Sequence, residues 1–480
     1  MAEPLIIDLD GTLIRNDLTH ELVVLCARWK PWLLPLALFK LLTDRPAGKR
    51  WLVGLVGDRI DPAHLPYDPL VLDLIAQGRK DGRMIELVSG SDHILVERVG
   101  EHLTVFDFVQ GSDPTRNLVS AHKALFLVDR HPDGYLYAGN SSQDLNVWKT
   151  SKGGYGLNAP ASAYQLRDAS DAPVDIAEIR KRPSLVKPLL KTLRLHQWAK
   201  NILIFVVPGL LVAQLGWADW SRLIQGFVCF GLMASGTYIL NDLFDIPDDR
   251  AHPTKRVRPL ASGALSVPVA IMATAGMIGG SLVWAFLLSE PFLVVLLMYA
   301  ITTVFYSFRL KRLPLIDVFI LASLFCLRVI AGAEMINAPP SSWLMTFIGL
   351  IFLSLALAKR YVEVSKSTRD GKIAGRGYVA QDAPLLLAFG AASSFSAIMA
   401  LAVYGLLEEN RVIQNSGVLI TIAAILAAWS MRIWMMAVRE ELDDDPVLFA
   451  VKDHISLICL VAVAGLILFE ASRPIWATLL

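Results

Sequence analysis

NDLFDIPDDRAHPTKRVRPLASG, Asn241 to Gly263, follows directly on an apolar run, Leu223 to Leu240, that is long enough to cross a bilayer. The stretch holds an Asn, four Asp, a His and four Lys or Arg, and it closes on a Gly. The acids come first and most of the bases second. Carboxylates hold Mg²⁺, and bases hold the phosphates that share it. At i, i+3 and i+7, Asp242, Asp245 and Asp249 fall on one helix face. Pro247 predicts a bend or an end to the helix within the motif. A solvated loop between two membrane helices would account for the charge. It would not account for the order N-D-x-x-D-x-x-x-D.

The rest of the composition agrees with a membrane setting. The 480 residues have a mean hydropathy of +0.49, with 54% hydrophobic and 19% charged residues, too apolar for a soluble chain of this length. A formal net charge of +1 argues against a nucleic-acid partner, so any phosphate site must come from local clustering. Cys26, Cys229, Cys326 and Cys459 are scattered, with no pair at metal-ligand spacing, which argues against a disulfide framework or a zinc site. No signal peptide is visible, and the chain enters a strand-like run, Leu5 to Leu9, almost at once. The N-terminal domain is therefore expected in the cytoplasm.

Residues 1–165 read as a soluble α/β domain. LIIDLDGTL is an apolar strand that ends in two acids, Asp8 and Asp10, on the same face. Two adjacent carboxylates repel unless a cation sits between them, and Mg²⁺ is the usual one. A second strand, Met84 to Val88, ends in Ser89-Gly90-Ser91. Lys123 follows in a helical stretch, and a third strand, Tyr135 to Ala138, ends in GNSSQD (Gly139 to Asp144). This set resembles the haloacid-dehalogenase-like phosphohydrolases, an α/β Rossmannoid fold, over most of residues 1–150. The resemblance implies Asp8 as nucleophile and Asp10 as general acid and base. It implies Ser89 on the phosphoryl oxygens, Lys123 neutralising charge, and Asp8, Asp10 and Asp144 around Mg²⁺. Asn140 stands where the family usually carries Asp; it can ligate through its carbonyl but brings no charge. Leu18 to Ile75 would be a small helical cap, with the run Pro31 to Phe39 in its core or resting on the membrane surface.

Residues 166–190 read as a polar linker. From 191 to 480 the character changes to an all-α polytopic bundle. Nine apolar runs are centred near residues 210, 232, 279, 299, 325, 350, 394, 425 and 463. Basic loops at Lys255, Arg256 and Arg258, at Arg309, Lys311 and Arg312, and from Lys359 to Arg376 fall on one side. The alternate loops hold chiefly Arg222 and Arg411. The basic side is expected to be cytoplasmic, with the C-terminus outside. The acidic run Glu440 to Asp445 reads as a solvated loop.

Three further stretches could converge with Asn241–Gly263: LHQWAKN (Leu195 to Asn201), YSFRLKRLPLIDV (Tyr306 to Val318) and AKRYVE (Ala358 to Glu363). Asp317 and Arg328 lie three helical turns apart on one face. A charge at Arg328, well inside its run, costs about 3 kcal/mol or more, so it must face protein or a wet cavity. It reads either as a structural ion pair, with Asp317 through an intermediate group or with Glu334, or as a substrate contact.

Nine spans, NDxxDxxxD running into RPLASG, and a second acidic motif resemble the UbiA-type intramembrane prenyltransferase superfamily over residues 190 to 475. More narrowly, QWAKN, DDRAHPTKRVRP, YSFRLKRLPLIDV with FCLRVIAGA, and AKRYVE are similar to its polyprenyl-phosphate phosphoribosyltransferase branch. That resemblance implies transfer of 5-phosphoribose from phosphoribosyl pyrophosphate to a polyprenyl (decaprenyl) phosphate in a bacterial plasma membrane. Asn241, Asp242, Asp245, Asp249 and Asp317 would hold Mg²⁺, with Asp242 and Asp245 catalytic. Lys200, Lys255, Arg256, Arg258, Tyr306, Lys311, Arg328, Lys359 and Arg360 would contact substrate. The N-terminal domain would then remove the 5-phosphate from the lipid product. The competing readings are prenyl transfer from a polyprenyl diphosphate to an aromatic acceptor, with a degenerate or regulatory N-terminal domain, and a transporter. Charge gathered at one face rather than at mid-depth argues against the transporter. The sequence leaves a homo-oligomer open.

Overall fold

The computed structural model describes residues 2–181, 184–366, 377–407, 415–442 and 446–477. Arg369, Lys372, Arg376, Arg411 and the end of the acidic run, residues 443–445, lie outside them. The chain divides into two units. The first comprises residues up to Leu193 together with Ile239–Ala273; the second comprises Arg194–Tyr238 and Thr274–Leu480.

The first unit is built on a six-stranded sheet: β1 (Leu5–Ile7), β2 (Ile85–Asp92), β3 (Phe108–Ser112), β4 (Leu136–Gly139), β5 (Gly153–Leu157) and β6 (Ile176–Arg180). The order is β3-β2-β1-β4-β5-β6 and every pairing is parallel. β1 is central, with Leu5 opposite Ile85 on one side and Leu136 on the other. All three of its residues are buried, as a parallel strand covered on both faces requires. In this order the connections diverge between β1 and β4, and their carboxyl ends form the crevice where such sheets bind ligands. β2 runs four residues beyond its expected end. β6 falls in the stretch expected as a linker and completes the sheet.

The helices of this unit begin with α1 (Leu18–Trp29), α2 (Leu34–Thr43) and α3 (Arg45–Val56). Asp17 caps α1 by accepting from the Thr19 and His20 N–H groups, and Asp44 caps α3 by accepting from Ala47. α2 is not the cap core that its apolar run suggested, because Ala37 is its only buried residue. The Ile239–Ala273 segment carries the end of helix Trp217–Phe244, a short helix Ile246–Ala251 and the start of helix Val267–Leu288.

The second unit is helical. Counting Trp217–Phe244 and Val267–Leu288, seven helices among the described residues are long and apolar enough to cross a membrane. The others are Glu290–Phe308, Ile316–Met335, Ser342–Ser365, Ala380–Tyr404 and Ser416–Val438. Nine were expected. The run near 210 breaks into 3₁₀ turns, Leu195–Phe205 and Val212–Gln214, around the five-residue helix Val206–Leu210, which contains Pro208. The run near 463 is a 24-residue helix, His454–Ala477, whose side chains are described as far as Glu470. Close approach fixes the 3₁₀ segment: a Cβ on Gly332 would lie 1.7 Å from the Ile204 carbonyl oxygen. Small residues permit such contact where helices pack in lipid.

Candidate functional site

In the first unit, the carboxyl ends of β1 and β4 open into a cavity of about 310 Å³. The structure brings Asp8 and Asp10 of DLDGT, Asn140 and Asp144 of GNSSQD, and Lys123 together in its lining. Lys123 Nζ donates to Asp8 Oδ1 at 2.7 Å and to the Tyr137 hydroxyl at 3.0 Å, and it sits 3.9 Å from Asp144 Oδ1. The Tyr137 hydroxyl donates to Asp144 Oδ1 at 2.6 Å. Asp144 Oδ2 accepts from the N–H groups of Asn140 and Ser141 and from the Ser141 hydroxyl. Asp10 accepts from the Leu18 N–H at 2.9 Å and from the Ser91 hydroxyl at 2.5 Å.

Burial governs the electrostatics. It pushes the Asp8 carboxyl up to about 6 against the pull of Lys123, with the charge of Asp144 adding to the rise. It pushes Asp10 up to about 7, with Asp17 adding to the rise. Burial alone would lower Lys123, but Asp8 and Asp144 outweigh it and hold the ammonium above its ordinary range. Gly11 sits at φ +74°, and a Cβ there would lie 1.9 Å from Asn140 Nδ2, so only glycine closes this turn.

Ser89 is fully buried and does not line the cavity; its hydroxyl accepts from the Ser91 N–H. Gly90 lines the cavity and Ser91 holds Asp10. The sequence reading also missed His20, Arg15, Arg45 and Lys49 in the lining, the last three bringing positive charge. Lys49 Nζ donates to the Gly90 carbonyl at 2.6 Å. The basic cluster DRPAGKR (Asp44 to Arg50) was the available signal.

The acidic segment belongs to the same unit. The long helix ends at Phe244, before Pro247, and Asp245 stands at the start of the short helix that follows without a side-chain capping bond. Asp242 and Asp249 nevertheless converge. Arg258 Nη1 donates to Asp242 Oδ1 at 3.1 Å and to Asp249 Oδ2 at 2.7 Å. Burial, offset by Arg258 and reinforced by Asp242, pushes Asp249 up to about 6. Asp245 lies 3.5 Å from Arg28 of α1. Asn241 is half-buried, and Lys255 and Arg256 are exposed. Arg250, next along the short helix, forms a buried bidentate pair with Glu21 of α1.

In the second unit, Asp317 is buried with both oxygens engaged. Arg360 Nε donates to Oδ2 at 2.5 Å and the Tyr378 hydroxyl to Oδ1 at 2.6 Å. Arg360 also holds Glu363 and the Tyr306 hydroxyl. Asp317, Arg360 and Tyr306 are thus members of one hydrogen-bonded network. Arg328 pairs with neither Asp317 nor Glu334. Its guanidinium donates to Asn201 Oδ1 at 3.0 Å, the Leu324 carbonyl at 2.5 Å and the Tyr299 hydroxyl at 3.2 Å, and it lies within 6 Å of the Phe230, Tyr299 and Phe325 rings. Three acceptors and three π faces offset a desolvation cost of about 3 kcal/mol. Lys200, Lys311 and Lys359 are half-buried.

Among the described residues, no three His, Cys, Asp or Glu side chains are arranged as a ready metal cage. The donor chemistry nonetheless fits Mg²⁺. Asp8 with Asp144, and Asp242 with Asp249, are buried hard-oxygen pairs already sharing a cationic group, Lys123 or Arg258.

Residues 202–452, slightly more than half of the chain, match the UbiA prenyltransferase family. The chain belongs to that family. It is therefore an enzyme of the prenyltransferase class and, with its apolar helices, a multi-pass membrane protein. An uncharacterised protein of Sinorhizobium fredii, y4nM, is 37% identical over 464 residues, 94% of this chain and 88% of its own. That similarity runs through both the N-terminal sheet and the UbiA helices. The nodulation protein NoeC of Azorhizobium caulinodans is 31% identical over 286 residues, 58% of this chain and 92% of its own. A decaprenyl-phosphate phosphoribosyltransferase of Mycolicibacterium smegmatis is 34% identical over 192 residues, 39% of this chain. The UbiA-family chain spans 60% of that enzyme's length.

Proposed function

We propose that this UbiA-family enzyme transfers 5-phosphoribose from phosphoribosyl pyrophosphate to a polyprenyl phosphate, releasing pyrophosphate. The observation that carries the reading is the 34% identity with a decaprenyl-phosphate phosphoribosyltransferase. The acid-and-base segment suits the chemistry. Mg²⁺ bound by Asn241, Asp242, Asp245 and Asp249 would neutralise charge on the leaving pyrophosphate. Arg258 orients Asp242 and Asp249, and the exposed Lys255 and Arg256 offer cations to phosphate oxygens. The acceptor is already an anion, so little general-base help is needed, and its lipid tail explains why the enzyme is embedded in a membrane.

The N-terminal unit is proposed to be a haloacid-dehalogenase-like phosphatase that removes the 5-phosphate from the lipid product. Asp8 attacks phosphorus, the P–O ester bond breaks, and Asp10 protonates the departing ribose oxygen. Water then releases phosphate from Asp8, with Asp10 taking its proton. Lys123 fixes Asp8, and Asp8, Asp144 and the Asn140 carbonyl are the oxygen donors available to Mg²⁺.

The test is to incubate the purified chain with Mg²⁺, labelled phosphoribosyl pyrophosphate and a polyprenyl phosphate, and to weigh the extracted lipid. Label in a ribosyl lipid, reverting to the phosphorylated form in Asp8→Asn, supports both activities. A phosphorylated lipid from the unaltered chain removes the phosphatase. No labelled lipid, with turnover of a polyprenyl diphosphate and an aromatic acid instead, overturns the transferase reading.

A further inference from the structure

The 3₁₀ turn Pro31–Leu33 and α2 carry an apolar surface that the cavity and the acidic segment do not use. Trp32, Leu36, Leu38, Phe39 and Leu42 are exposed, Trp32 by 71%, Phe39 by 61% and Leu42 by 86%. Trp32, Leu36, Phe39 and Leu42 recur at helical spacing and form one stripe. The opposite side is fixed to the unit: Ala37 is fully buried, and Leu33 and Leu41 pack against the core. Behind it α3 approaches so closely that a Cβ on Gly48 would lie 2.9 Å from the Leu41 backbone nitrogen. α2 is therefore seated with its apolar side outward. Pro31–Thr43 is too short to cross a bilayer.

A contiguous apolar face of this kind marks an interaction site. Its setting identifies the occupant. The unit that carries α2 also contains the ends of two membrane-spanning helices, Trp217–Phe244 and Val267–Leu288. It is thus tethered to a bilayer at two points, where effective concentration favours a lipid contact over any free partner. An exposed tryptophan, with Lys30, Lys40 and Arg45 against a single Asp44, is the composition that suits a headgroup layer.

We propose that α2 is an interfacial helix whose exposed face lies at the headgroup–acyl boundary of the leaflet from which Ile239–Ala273 emerges. The helix on its back, α3, supplies Arg45 and Lys49 to the cavity, and the first residues of a membrane-spanning helix, Val267 and Pro268, line the same cavity. A seated α2 holds this cavity at headgroup level, which selects a phosphate carried on a lipid over a soluble phosphate ester. That selectivity rests on the phosphatase reading; the insertion of α2 does not.

The experiment labels Phe39→Cys and Leu42→Cys with an environment-sensitive fluorophore in the full chain, reconstituted in nanodiscs. Gln77→Cys, at an exposed polar position of the helix Pro69–Lys80 in the same unit, is the control, and the parent chain corrects for its own cysteines. Lipid-borne doxyl groups should quench labels at 39 and 42 several-fold more than at 77. Quenching by aqueous iodide instead, or by neither agent because a second copy or another protein covers the face, overturns the proposal. The triple variant Trp32→Ser, Phe39→Ser, Leu42→Ser leaves the inward side of α2 intact. It should raise KM for the phosphoribosyl lipid roughly tenfold while leaving turnover of para-nitrophenyl phosphate unchanged. If the unaltered chain hydrolyses neither ester, the phosphatase reading fails and the quenching result alone decides the position of α2.

Discussion

Replacing Glu21 with Gln tests whether the N-terminal sheet unit holds the acidic segment in place. Arg250 donates through Nη1 to Glu21 Oε2 at 2.9 Å and through Nη2 to Oε1 at 2.5 Å, and both side chains are almost fully buried. Asn16 Nδ2 adds a third bond to the same carboxylate, and Arg250 Nε reaches the Ala261 carbonyl at 3.0 Å. Gln keeps the shape but removes the charge and turns an N–H₂ group toward a guanidinium. Breaking one side of a buried pair costs about 3–5 kcal/mol. For a unit of this size that corresponds to a fall in Tm of roughly 6–20 °C. Thermal scans of the purified full chain measure the fall. Hydrogen exchange over Ile246–Ala251 should show which part opens, and transferase activity should drop because Asp249 precedes Arg250 on that helix. The double variant Glu21→Leu, Arg250→Met should recover much of the stability, because no charge is then left buried. A Tm within about 1 °C of the parent, with unchanged exchange, would refute the reasoning.

Arg258→Ala leaves Asp242 and Asp249 facing each other without their shared cation, and should lower transferase kcat/KM about 10²-fold. Steady-state kinetics with labelled phosphoribosyl pyrophosphate checks this. Asn140→Asp adds a charge beside Asp8 and Asp144, and should lower the Mg²⁺ concentration for half-maximal phosphatase activity roughly tenfold, read from a metal titration. Gly332→Ala drives a methyl group into the Ile204 carbonyl and should cost about 1–3 kcal/mol or more, seen as a lower melting temperature in detergent.

Local chemistry was legible in the sequence; long-range pairing was not. The apolar strand stops at Ile7, where charge begins, so Asp8 and Asp10 lie beyond it, and the turn that follows, not the pleat their spacing suggested, brings both to the cavity. The Asn241 stretch was legible for the same reason, an abrupt change from apolar to acidic. What its spacing could not show is that Arg258 returns to join Asp242 to Asp249, or that Arg250 finds Glu21 across 229 positions of sequence. The residue Ser89 was misread by depth rather than by face. β2 continues past a register shift to Asp92, and it is Ser91, beyond the buried Ser89, that reaches Asp10. Hydropathy alone counted a span near 210, where Pro208 and a carbonyl pressed against Gly332 give 3₁₀ turns. Periodicity likewise could not tell a cap core from an interfacial helix in Pro31–Phe39, since both ask for the same apolar stripe.

The sheet-bearing unit is discontinuous in sequence, and that sets an order on biosynthesis. Glu21, Asn16 and Arg28 leave the ribosome long before Arg250, Leu260 and Asp245, their partners. Between them the chain must make β2 to β6 and then residues 194–238, which enter the membrane. At about 5–20 residues per second the wait lasts tens of seconds at the slower rate. Through that interval α1 is an incomplete surface with an unmatched carboxylate. The unit closes only once the Ile239–Ala273 segment returns from the bilayer, so its final folding step also reports that the first membrane-spanning helix has been inserted.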